Sequence, residues 1–204
     1  GCYQALRFEG QPLPPLFALA VQAAGDVEAS GVLYAGGFSK TLAPSLRVGW
    51  VAGPSAVIRK LVLIKQAADL ATPALNQMLA LELARTVLPA QVERGRALYR
   101  RRRDAMLAAL EAFMPPGVAW TRPEGGLYIW LTLPEGLDGG RVAERALTEF
   151  NVSVIGGAAF FAERPQRNTL RLSYSLAAED AAREGVRRLG GLLAEMIEAA
   201  SVSV

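Results

Sequence analysis

Two short apolar runs, each closed by turn residues, constrain this chain most. Val32 to Ala35 ends at Gly36 and Gly37, and Val48 to Ala52 ends at Gly53 and Pro54. Runs of that length bounded by Gly and Pro predict buried strands of an α/β sheet. The connection between them lies inside AGGFSKTLAPSLRVGW, Ala35 to Trp50, and carries Lys40 and Arg47. Ligands in α/β folds sit on loops off strand ends, which makes this connection the first place to look for chemistry.

The bulk of the sequence allows such a fold and excludes several function classes. Its 204 residues exceed the usual domain size of about 100–150 residues, so one large or two small domains are expected. An apolar share of 51% with 20% charged residues is that of a globular protein. Net charge is only +3, too little to demand a nucleic-acid or membrane partner. The basic block Arg100 to Arg103 falls in a helical stretch and reads as a solvated helix face, with phosphate-backbone binding as the alternative. Cys2 is the single cysteine and there is no histidine, so neither an internal disulfide nor a Cys/His zinc site can form. No metal is expected, and a reducing, cytoplasmic setting fits. No apolar run reaches the roughly 20 residues needed to span a bilayer, and no signal peptide is visible.

From Ser55 the pattern turns helical, with Val57, Leu61, Ile64 and Ala68 on one face until Thr72 and Pro73. Further helices are expected from about Ala74 to Val87 and from about Ala90 to Phe113. In the last of these, Val92, Tyr99, Met106 and Phe113 recur every seven residues and keep one apolar stripe. Such a helix could join two domains, 1–90 and 91–204. After Pro115, Pro116 and Gly117 the composition changes. Strands are expected at Val118 to Trp120, Leu127 to Leu133, Val152 to Ile155 and Leu170 to Tyr174, with helices near Gly140 to Phe150 and Ala178 to Ala200. The last helix should bury Val186, Leu189, Leu193 and Ile197. This half reads as a small α+β domain.

An amine at Lys40 and a guanidinium at Arg47 are the pair needed to hold an aldehyde that carries a phosphate: one binds covalently, the other binds charge. A lysine used this way must be desolvated enough to lose its proton part of the time, and its place after an apolar strand suits that. The run Ser39, Lys40, Thr41, Pro44, Arg47 and Gly49 resembles the lysine segment S-K-T-x-x-P-x-x-R-x-G of pyridoxal-phosphate enzymes of the aspartate aminotransferase fold. The resemblance extends in order from Tyr3 to the final helix, through PEGGLYIWL, VSVIGGAAFF and NTLRLSYS. Its wording is nearest to the subgroup of 2-aminoadipate, aromatic and branched-chain aminotransferases and the aminotransferase-like domains of MocR regulators.

The resemblance implies part of a pyridoxal-phosphate-dependent transferase large domain followed by an α+β C-terminal small domain. It implies Lys40 as the Schiff-base lysine, Arg47 and Ser39 as phosphate ligands, Tyr3 as donor to the ring's phenolic oxygen, and Arg171 as the grip on a substrate carboxylate. Plainer readings stand beside these: an ion-paired loop arginine at 47, a core aromatic at Tyr3, a solvent-facing arginine at 171. Gly37 departs from the family, which usually has Ser or Thr there as a phosphate ligand, and Gly156 replaces a usual proline. The family's aspartate partner of the ring nitrogen would precede Gly1, so the chain is expected to be the C-terminal half of something longer and a poor catalyst alone. The implied activity is transfer of an amino group from an L-amino acid to a 2-oxo acid, in a homodimer. The alternative is the effector-sensing domain of a MocR regulator, which would meet nucleic acid only through a separate N-terminal domain.

Overall fold

The computed structural model describes residues 1–202, and the chain divides into two compact units, Gly1–Ala97 and Leu98–Val204. In the first unit a 3₁₀ turn at Gln4–Leu6 precedes helix α1 (Leu16–Ala24), strands β1 (Tyr34–Gly37) and β2 (Gly49–Ala52), and helices α2 (Ser55–Ala68) and α3 (Ala74–Thr86). Helix α1, LFALAVQAA, has no polar face to set a period and was not foreseen. Pro54 and Pro73 stand at the starts of α2 and α3, where an amide N–H would lack an intrahelical acceptor in any case. Helix α4 (Leu88–Phe113) runs through the division between the units.

The glycines expected to end the first strand lie inside it. β1 and β2 pair antiparallel with Gly36 opposite Trp50 and Gly37 opposite Gly49. The Trp50 ring crosses Gly36 so closely that a Cβ there would stand 1.9 Å from Trp50 Cη2. Glycine is what lets the strand continue beneath the indole. The expectation of buried strands also fails: all four residues of β2 are exposed. Among the described residues β1 and β2 make a sheet of only two strands, on which the Tyr34 ring stacks with Phe17 of α1 and meets Trp50.

The same holds for α2. It forms where its 3.6-residue period places it, but Val57 is 40% and Ile64 63% exposed, and Ala68 is exposed too. Periodicity reports that a helix has an apolar stripe; it does not supply the surface that covers it. The buried apolar residues of this unit are few, Leu6, Phe8, Leu46 and Ala80.

The second unit is better filled. Strands β3 (Ala119–Trp120), β4 (Tyr128–Thr132), β5 (Ile155–Gly156) and β6 (Thr169–Ser173) form an antiparallel sheet in the order β3-β4-β6-β5, with helices α5 (Gly139–Phe150) and α6 (Glu179–Val202). Ile129 and Leu131 of β4 and Leu170 and Leu172 of β6 point to one side and join Met106, Leu110, Val142, Val186, Leu189 and Leu193 in a single core. Tyr99 and Phe113 of the α4 stripe, and Ile197 of α6, pack against its edge. Asp138 caps α5 by accepting from the amides of Gly140 (2.8 Å) and Arg141 (3.2 Å). Those bonds hold its carboxyl below the usual range, that from Arg141 contributing most. Tyr174 is buried and donates to the Gly125 carbonyl at 3.1 Å, pinning the PEGG turn; burial pushes its hydroxyl pKa up.

The strand placed at Val152 to Ile155 pairs only at Ile155 and Gly156. Asn151 leaves α5 in the left-handed region (φ 53°), and Val152 returns its amide to the Ala146 carbonyl, so the chain is still turning when a strand was expected. The basic block is not a uniformly solvated face either. Arg100 and Arg101 are exposed, but Arg103 is only 5% exposed and donates to the Pro123 carbonyl at 2.7 Å and to the Asp104 carboxylate. Arg102 donates to the Ser175 carbonyl. Two of the four guanidiniums are thus spent on backbone acceptors within the unit.

Candidate active site in the first unit

The connection from β1 to β2 begins with a tight turn. Thr41 and Leu42 both return their amides to the Phe38 carbonyl, at 3.2 and 2.8 Å, while the Phe38 amide donates to Val48 across the pair. Ser39 and Lys40 occupy the top of that turn. The chain then makes a 3₁₀ turn, Pro44–Leu46, anchored by buried Leu46, whose carbonyl accepts from Asn76 Nδ2 of α3 at 3.0 Å. Arg47 follows in the left-handed region (φ 51°, ψ 34°) and its Nη1 donates to the Pro44 carbonyl at 3.1 Å. A non-glycine residue there is uncommon, and such conformations concentrate where a side chain must be aimed.

The result is an open cleft of about 200 Å³ lined by Cys2, Gly36, Gly37, Ser39, Lys40, Arg47, Val48 and Gly49. Its polar side chains are an ammonium, a guanidinium, a hydroxyl and a thiol, with no carboxylate among them. Such a donor set suits a ligand that brings negative charge. The other lysines, Lys60 and Lys65, lie on α2, and Lys65 is paired with Asp69 at 2.8 Å. Lys40 is the lysine that lines the cleft.

Ser39, Lys40 and Arg47, three of the expected site residues, line this one cavity. Lys40 itself is exposed, contrary to the expected desolvation, because the cleft is open on its outer side. Arg47 makes no ion pair among the described residues. Tyr3 is 38% exposed and does not line the cleft, though its neighbour Cys2 does. This segment is fixed beside β1 by Leu6 and Phe8, both buried, by the Tyr34 hydroxyl donating to Gln4 Oε1 at 3.0 Å, and by Arg96 donating to the Ala5 carbonyl. Cys2 was not foreseen as a lining residue. Its place beside Tyr3 in the matched motif was the available signal. Arg171 lies in the second unit, half-buried on β6 between the rings of Tyr128 and Phe160. That sandwich was also not foreseen.

Residues 2–189 match the model of the family described as aminotransferase class I and II. The chain belongs to that family. It is 42% identical over 194 residues to aromatic-amino-acid aminotransferase 1 of Thermococcus litoralis, covering 95% of this chain and 45% of the relative. To the 2-aminoadipate transaminase of Thermus thermophilus it is 45% identical over 196 residues, covering 94% and 48%. The uncharacterized HTH-type transcriptional regulator YisV of Bacillus subtilis is 36% identical over 177 residues, 86% of this chain and 34% of that relative. Among solved structures, LysN, an alpha-aminoadipate aminotransferase of Thermus thermophilus in complex with N-(5'-phosphopyridoxyl)-L-leucine, superposes with a TM-score of 0.89 at 43% identity, over 98% of this chain and 50% of that one. The mixed α/β fold is therefore that of these aminotransferases. The chain spans about half the length of the curated relatives it matches. No helix among the described residues is long and apolar enough to cross a membrane.

Proposed function

We propose that this chain carries the lysine-bearing part of a pyridoxal-phosphate-dependent aminotransferase that moves an amino group from an L-amino acid to a 2-oxo acid. Residues 1–90 would belong to the cofactor-binding large domain and 91–204 to the small domain, in a cytoplasmic homodimer. The observation that carries the reading is the carboxylate-free cleft in which Lys40, Arg47 and Ser39 meet.

The residues fit the cofactor. Arg47 and Ser39 would hold its phosphate, the guanidinium supplying parallel donors and the hydroxyl one more. Gly37 offers only its backbone where relatives have a hydroxyl. The amine of Lys40 would take the aldehyde; Tyr3, outside the cleft but next to its lining residue Cys2, would have to turn toward it to donate to the phenolic oxygen of the ring. When bound, the cofactor supplies an electron sink for charge developing at the substrate Cα. The amine of Lys40 would take the proton from that Cα as a general base. Arg171 would bind the substrate α-carboxylate and so orient the Cα–H bond.

Arg47→Ala is expected to weaken cofactor retention by about 10- to 100-fold, the worth of a charge-assisted pair. Equilibrium dialysis of the full-length protein measures it; retention within threefold of wild type would remove Arg47 from the phosphate site. The enzyme reading as a whole rests on incubating the full-length protein with amino acids and 2-oxoglutarate. A cofactor spectrum that no amino acid changes would refute it.

The match to YisV supports a second reading, an effector-sensing domain that keeps Lys40 and Arg47 but biases a DNA-bound conformation. A winged helix-turn-helix encoded upstream, with cofactor-dependent DNA binding, would favour the regulator. Turnover without DNA binding would favour the enzyme.

A further inference from the structure

The sheet of the second unit has one face buried in the core and one face that carries polar and aromatic groups. Trp130 of β4 stands directly opposite Arg171 of β6, and Ile155 of β5 stands opposite Arg171 on the other side. Side chains two apart on a strand share a face, so Tyr128 joins Trp130 and Arg171 there. Phe160 reaches the same place from the 3₁₀ turn Gly157–Phe160. The Arg171 guanidinium carbon lies 4.2 Å from the centre of the Tyr128 ring and 4.3 Å from that of Phe160. Among the described residues, no hydrogen bond or ion pair engages its N–H groups.

We propose that Tyr128 and Phe160 are positioning residues that clamp the guanidinium of Arg171 between two aromatic faces, leaving its in-plane N–H groups free for a carboxylate. The inference rests on the reading of Arg171 as the substrate-carboxylate ligand and adds what prepares it. Guanidinium donors all point outward in the plane of the group. Rings above and below therefore hold the cation by its faces without competing for a single donor. An unclamped arginine would lose its rotamer freedom on meeting the carboxylate; a clamped one has lost it beforehand, which favours binding. Phe160 is itself braced, edge-on against Trp130 at 5.8 Å and 73°. The turn that carries Phe160 seats tightly because Gly157 lacks a side chain: a Cβ there would come within 2.8 Å of the Trp130 ring and closer still to Thr169.

The test uses the full-length, cofactor-loaded protein and two unreactive carboxylates, isovalerate and 3-phenylpropionate, whose Kd is read by calorimetry. Phe160→Leu and Tyr128→Leu should each raise Kd by about 3- to 30-fold for both carboxylates, the worth of one cation–ring contact. Because the clamp acts on binding, KM for the amino donor should rise while kcat changes by less than about twofold. Phe160→Tyr and Tyr128→Phe, which keep the ring faces, should bind like wild type. Phe160 is 47% exposed, so these substitutions leave the core intact. Arg171→Lys separates the two levels. If it leaves Kd unchanged, the carboxylate reading of Arg171 fails and the clamp with it. If it weakens binding while both leucine variants stay within twofold of wild type, the clamp alone is overturned. An effect confined to 3-phenylpropionate would also overturn it, since that would mark direct contact with the ligand's ring.

Discussion

Replacing Lys40 by alanine in the full-length protein is expected to lower amino-group transfer by at least about 10³-fold. The size follows from two lost roles: the amine that takes the cofactor aldehyde, and the base that moves the Cα proton, the second alone worth about 10²–10⁴. Lys40→Arg should be as inactive as Lys40→Ala. Arginine keeps the positive charge but never offers a neutral amine at working pH, so equal losses would show that nucleophile and base matter, not charge. Borohydride treatment of the wild type should fix the cofactor on the peptide that contains Lys40. The chain's other lysines make this decisive: a label on Lys60 or Lys65 of α2, or a Lys40→Ala variant within tenfold of wild-type rate, would show the assignment to be wrong. Lys40 stands exposed on its turn.

Much of this arrangement was legible in the residues because it is local. A turn that returns two amides to Phe38, a 3₁₀ turn opened by Pro44, and an arginine just after it place Ser39, Lys40 and Arg47 within a dozen residues of one another. Short-range backbone chemistry alone brings them to one cleft. The six-residue match S-K-T-x-x-P-x-x-R-x-G gave them roles. Illegible features were those set by distant partners. Arg103 looked solvated because nothing nearby in sequence announces the Pro123 carbonyl that receives it. The aromatic clamp depends on Phe160 arriving beside a strand pair whose register is fixed by the core on the opposite face. Gly36 read as a strand end because the Trp50 ring that crosses it lies on another strand. For α2 the error had a different origin. The hydrophobic period was correct, but burial is a property of two surfaces, and the sequence of one helix describes only one of them.

The larger effect on stability should come from the second unit, where the core is continuous. Leu131→Ala is expected to cost about 2–5 kcal/mol, the range for emptying a leucine site that cannot collapse. Leu131 is fully buried in β4, with Trp120 of β3 on one side and Leu170 of β6 on the other. Strands hydrogen-bonded on both sides cannot close on the vacated volume, which argues for the upper half of that range. Leu147→Ala is the control. It removes the same atoms from a leucine on α5 that is 55% exposed, and should change stability by no more than about 0.5 kcal/mol. Urea unfolding followed by tryptophan fluorescence reads both, since Trp120 and Trp130 lie on β3 and β4 themselves. Equal midpoints for the two variants would mean that the sheet is not the stabilising element of this unit. The sheet's two faces also separate stability from binding. Leu131 points into the core and Arg171 to the other side, so molecules of Leu131→Ala that remain folded should bind isovalerate with wild-type affinity. Loss of that affinity at temperatures well below the unfolding transition would show that the core sets the register on which the arginine clamp depends.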